Sequence, residues 1–284
     1  MTSPASPSPA PLNLFALAQA NDPALERQFA AQSAGTSTNA TALRDMSALV
    51  FATGNVTVNM RIDVMNQFFA TEHMTNIYEW AKEHSLHHGR TQEELLREKL
   101  GRWYEQRVKF DEAFIDGNQF RYGALNIDSL GPSKFGDLCV VIKEPFWDDH
   151  PVAYLKGDSL KTFMDSHHNL LEDRLRVSVS SKDRRHQMMA LKHSSHLTQW
   201  EKKDWPRKVC YTDEFVEAIF VKSFTSSQIQ EVRIDKGLFF RMNNIAFNNN
   251  ARIQCTPEEI FQANSFEIIN KILHRLGIPL KVIC

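Results

Sequence analysis

Asp213-Glu214-Phe215-Val216-Glu217-Ala218-Ile219-Phe220-Val221 reads as a strand from its aromatic and β-branched content. Alternate side chains of a strand share a face. Phe215, Glu217, Ile219 and Val221 therefore stand together, opposite Val216, Ala218 and Phe220. That sets the carboxylate of Glu217 in the middle of an apolar stripe, where a charge is costly unless it is paired or used. An edge strand that leaves Glu217 in water, a satisfied ion pair, and a working carboxylate all fit this pattern.

Upstream, the chain alternates between patterns of period two and patterns of helical period. Val56, Val58, Met60 and Ile62 alternate with Thr57, Asn59, Arg61 and Asp63, giving a strand with one apolar and one polar face. Arg61 then shares its face with Thr57 and Asn59, either to hold an anion or as part of a solvated sheet face. Val64 to Lys82 reads as a helix, and Thr91-Gln92-Glu93-Glu94 is a capping box that opens a second. His84, His87 and His88 between them read as a solvated loop, since no supporting ligands stand at metal-binding spacing.

Three further strands are expected at Phe120–Ile127, Phe135–Lys143 and Val152–Gly157. Gly123, Gly136 and Gly157 fall within or beside them, which suits bulges or the close approach of a ligand. Ser159 to Leu175 looks helical. Lys182 to Lys208 is a basic segment interleaved with Trp200 and Trp205, fit to dock a nucleic acid or an acidic protein, or to be a long exposed loop. Beyond Glu217, strands are expected at Gln230–Asp235 and Leu238–Met242, then an Asn-rich loop from Asn243 to Arg252. A last helix opens at the capping box Thr256-Pro257-Glu258-Glu259 and is stopped by Gly277 and Pro279.

Bulk properties narrow the class. The chain of 284 residues carries 33 Lys and Arg against 34 Asp and Glu, so non-specific binding to nucleic acid or to an anionic membrane is not expected. No apolar run reaches the ~20 residues of a membrane span. Cys139, Cys210, Cys255 and Cys284 are scattered, as free thiols in a reducing compartment would be. Residues 1–45 are rich in Ser, Thr, Pro and Ala and are expected to be a disordered leader, with residues 46–284 forming one globular domain.

The ordered set Arg121-Tyr122-Gly123-Ala124-Leu125-Asn126, Phe135-Gly136-Asp137-Leu138-Cys139, Gly157-Asp158-Ser159 and Phe215-Val216-Glu217-Ala218 resembles the NAD-dependent ADP-ribosyltransferase fold of bacterial toxins. With the leader, which is similar to a type III secretion signal, the chain resembles the CteC family of effectors that mono-ADP-ribosylate ubiquitin on threonine. The resemblance implies an α+β fold with a core of two packed, mainly antiparallel sheets and flanking helices. It implies NAD as substrate, a host protein such as ubiquitin as acceptor, a monomer, and a protein secreted by a bacterium to act in the host cytosol. Carried over by position, Glu217 is the catalytic glutamate and Arg61 holds the NAD phosphates. Tyr122, Gly123, Asn126 and Phe135 border the NAD pocket. The family's Ser-Thr-Ser falls on Ala124-Leu125-Asn126, of which only Asn126 is polar. Its Gln or Glu two residues before the catalytic glutamate is Phe215, which suits a hydroxyl acceptor better than a guanidinium. A catalytically degenerate binding module and an NAD glycohydrolase are the competing functions.

Overall fold

The computed structural model describes residues 10–211, 213–250 and 255–284. The chain opens with helices α1 (Leu14–Ser33) and α2 (Thr38–Thr53), strand β1 (Asn55–Met60), and helices α3 (Ile62–Thr71), α4 (Ile77–His88), α5 (Gln92–Leu100) and α6 (Tyr104–Glu112). Strands β2 (Arg121–Asn126), β3 (Leu138–Ile142) and β4 (Val152–Leu155) follow, then helices α7 (Ser159–Phe163) and α8 (Glu172–Arg176) and the short strand β5 (Val179–Ser180). Helices α9 (Arg185–Lys192) and α10 (Trp205–Val209) lead into β6 (Val216–Phe220) and β7 (Ile229–Asp235). Helices α11 (Lys236–Asn250) and α12 (Pro257–Leu276) and strand β8 (Leu280–Ile283) complete the fold, which is α+β.

All eight strands join one sheet, in the order β5-β4-β6-β2-β1-β3-β7-β8, rather than the two packed sheets expected. Among the described strand pairs only β7–β8 is parallel. The sheet nevertheless divides near its middle. Strands β1 and β2 pair only at Asn55↔Asn126, Val56↔Leu125 and Thr57↔Ala124. Beyond that point Val58 to Met60 stay with β3, while Arg121 to Gly123 stay with β6. The two halves open like a fork. Gly123 makes the crotch possible: a Cβ there would lie 2.5 Å from the Thr57 carbonyl oxygen, closer than any side chain tolerates. Gly136 likewise sits against the Met60 backbone, so these glycines serve strand-to-strand approach and not bulges.

Alternation along the strands sorts two cores. Val58, Val140, Val216, Ala218 and Phe220 pack on one face against Met46 of α2, Phe68 of α3, Met189 of α9 and Ile269 of α12. On the other face Ala153, Leu155 and Ile219 meet Leu14 and Ala18 of α1, Phe110 of α6 and Phe163 of α7.

Several expectations from the sequence do not hold. Residues 10–45 are not a disordered leader; residues 1–9 lie outside the described part of the chain. Asn13 caps α1, Ser37 caps α2, and Leu14, Ala18 and Leu25 are buried, so the small polar residues around Ser37 are a helix start and not low complexity. Leu238–Met242 is not a strand but the first turns of α11, whose Met242 and Ile245 enter the core at helical spacing. The helix runs on to Asn250, through the expected Asn-rich loop; residues 251 and 252 lie outside the described part. Lys182–Lys208 is not an exposed loop. Met188, Met189, Leu191, Leu197 and Trp205 are buried, and Lys182, Arg184, Arg185 and Lys202 pair with Asp148, Glu26, Glu144 and Asp45. Finally, Val64–Lys82 is two helices, and His84 and His87 fall on α4 and not in a loop.

Candidate active site

A cleft of about 680 Å³ fills the fork. Thr57, Val58 and Asn59 line it from β1, Tyr122 to Ala124 from β2, and Phe215 and Glu217 from the β6 side. Helical segments close it: Leu100, Arg102 and Trp103 at and after the end of α5, Arg107 of α6, Lys134 and Phe135, and Asp158, Leu160 and Lys161 at the start of α7. Its size suits a ligand larger than a single sugar, and its walls mix aromatic surface with a few converging polar groups.

Glu217 is held between two strands, because β6 pairs with β4 on one side and β2 on the other. The edge-strand reading is thereby excluded. The residue is 5% exposed. One oxygen, Oε2, accepts the backbone N–H of Ser159 at 2.8 Å. Burial, reinforced by the neighbouring Asp158 carboxylate, pushes the Glu217 carboxyl up to about 8, against the opposing pull of Arg107 and Ser159. At neutral pH the carboxyl of the free protein is therefore largely protonated.

Beside it stands a polar cluster that the sequence reading missed. Arg107 donates to Ser159 Oγ at 3.2 Å and to Asp111 Oδ1 at 3.4 Å, and its guanidinium lies 3.9 Å from the Tyr122 ring centre. Ser159 thus touches both Arg107 and Glu217. Asp111 is buried and also accepts the hydroxyls of Tyr122 and Tyr78. Burial raises the Asp111 carboxyl above its ordinary range, although Arg107 and the two hydroxyls pull it down. Burial alone would lower the Arg107 guanidinium, but Tyr122 and the Asp111 carboxyl beside it hold it above its ordinary value. The available signal was the Arg107 and Asp111 pair one turn apart, flanking Phe110 on a helix without a clean polar face.

The residues singled out from sequence divide. Glu217, Tyr122, Gly123 and Phe135 come together in the cleft. Arg61 does not line it. β1 ends at Met60, so Arg61 sits at the start of α3 and pairs with Asp63 at 2.9 Å with its side chain 65% exposed. Asn126 is fully buried beneath the turn that follows β2, with Oδ1 accepting the N–H and hydroxyl of Ser129 and Nδ2 donating to the Ser129 carbonyl. It shapes that turn and does not line the cleft. Arg121 reaches the cleft wall but is occupied: it donates to Met74, Gln119 and Val221 carbonyls and to both oxygens of Glu79.

Among the described residues no group of His, Cys, Asp and Glu is arranged to hold a metal ion, and no helix is long and apolar enough to cross a membrane. No family model and no curated protein matches this chain.

Proposed function

We propose that the cleft binds NAD and that the protein is a mono-ADP-ribosyltransferase in which Glu217 is the catalytic residue. One observation carries this reading: a buried carboxyl, held between two strands, faces a dinucleotide-sized cleft at the point where the sheet divides. The sequence resemblance to ADP-ribosyltransferases leads to the same residue by a separate route.

The chemistry suits the groups present. The bond from ribose C1′ to the nicotinamide nitrogen breaks, and its electron pair leaves with neutral nicotinamide. Positive charge develops on the ribose, as in glycoside cleavage. Ionised Glu217 stabilises that charge and accepts a ribose hydroxyl hydrogen bond. The acceptor oxygen then attacks C1′, and its proton passes to Glu217 and on to water. Ser159 and Arg107 position the carboxyl, the first by its N–H and the second by its charge. Tyr122 and Phe135 supply aromatic surface for the nicotinamide ring. Phe215 also lines the cleft, and an aromatic ring at that position offers a guanidinium no polar partner, which fits a hydroxyl acceptor better.

The acceptor we favour is a threonine of ubiquitin, modified by a secreted bacterial effector inside the host cytosol. Incubation with NAD and ubiquitin, followed by intact-mass measurement, tests this. A transferase adds one ADP-ribose to its acceptor and releases nicotinamide, whereas a glycohydrolase releases nicotinamide and leaves the protein mass unchanged. Nicotinamide release that persists unaltered in Glu217→Gln would rule out the assigned site, and its absence from the wild-type protein would favour a binding module.

A further inference from the structure

With Arg61 outside the cleft and Arg121 fully engaged, the groups that would meet the phosphates of a dinucleotide have to be found elsewhere. Lys134 and Lys161 line the cleft from different segments, the turn Ser133–Phe135 and the first turn of α7. Both ammonium groups converge on one oxygen, Oδ1 of Asp213, at 3.2 and 2.8 Å. Hydrogen bonds from Lys161, then Lys134, hold the Asp213 carboxyl below its ordinary range. Asp213 is 63% exposed at its side chain and is not one of the cleft's walls. Lys134 is further steered by the faces of Phe135 and Phe215, with ring centres 4.9 and 5.7 Å from its nitrogen.

Two lysines share a single oxygen of one exposed carboxylate. The other nearby carboxylate, Asp158, turns Oδ1 to the backbone N–H groups of Leu160 and Lys161. A phosphate brings several oxygens to two ammonium groups that now share one, and lysine is a compact point charge well suited to phosphate.

We propose that Lys134 and Lys161 form the seat for a phosphate of the bound nucleotide, and that the Asp213 carboxylate occupies the place of a phosphate oxygen until the ligand displaces it. This rests on the reading of the cleft as a dinucleotide site, but its test does not depend on catalysis. ADP, which carries the pyrophosphate and no nicotinamide, is titrated by calorimetry at low salt into the full-length protein and its variants. Lys134→Ala and Lys161→Ala weaken ADP about fivefold each, the range expected for losing one exposed charge contact. Asp213→Asn acts in the opposite direction and tightens ADP about threefold, because a competing anion is gone. All three side chains are at the surface, so circular dichroism should register no change of fold. Equal ADP affinity in wild type and lysine variants overturns the proposal, as does weaker binding to Asp213→Asn or no binding to wild type. The dinucleotide reading stands or falls separately, on nicotinamide release by the wild-type protein.

Discussion

At the scale of single residues, the Glu217 carboxyl fixes the pH behaviour. Its free-protein value of about 8 means that the working, ionised form grows in as pH rises toward that value. We expect kcat/KM for nicotinamide release to climb through this range and to level off above it. Glu217→Gln should lower the rate by roughly 10²–10³-fold, as loss of a key charge-stabilising group does. The same residue affects stability with a definite sign. The unfolded chain loses this proton near the ordinary value of 4.5, and the folded chain only near 8. Stability associated with Glu217 is therefore full below 4.5 and falls as pH rises toward 8. Urea titrations across that window should show Glu217→Gln gaining on the wild type by up to a few kcal/mol. Arg61→Ala gives the contrasting result. Its guanidinium lies in water against Asp63, and nicotinamide release should stay within about twofold of wild type. Of these two residues, alternation set Glu217 on an apolar stripe and left an exposed, a paired and a working carboxylate open; the flanking of β6 by β2 and β4 is what buries it. Sequence alone misplaced Arg61 because a strand end cannot be read to the residue from alternation, and one step past Met60 turns the side chain outward.

At the scale of elements, the capping boxes at Thr91 and Thr256 and the left-handed Gly277 were legible, since local backbone chemistry fixes them. Elements whose identity depends on distant partners were not. α11 carries Leu238, Phe239 and Phe240 in succession, which suits a strand locally; the core contacts of Met242 and Ile245 decide for a helix. The basic segment 182–208 looked solvated because its acidic partners, Glu26, Asp45, Glu144 and Asp148, lie far away in sequence. α6 was missed as a contributor for the same reason, since Arg107 finds Ser159 across 52 positions. The close strand contact at Gly123 predicts that Gly123→Ala lowers stability by about 1–3 kcal/mol, read as a drop in Tm.

For the molecule as a whole, α1 is built into the structure. Asn21 donates to the Val179 carbonyl at 2.7 Å, Asp22 accepts the Ser181 N–H at 3.1 Å, and Leu14 is buried against the second core. Leu14→Ala should therefore cost about 2–4 kcal/mol, measured by denaturant unfolding, where a detached leader would give no change. The fork has a mechanical corollary. Its two arms are tied by Asn55–Thr57 against Ala124–Asn126, and Lys134, just ahead of β3, is bonded to Asp213, which precedes the end of β6 that pairs with Leu125. The open end at Arg121–Gly123 lies farther from these fastenings, so any flexing of the joint is felt most there. Removing the second fastening in the unliganded protein with Asp213→Asn should speed amide hydrogen exchange at that end first.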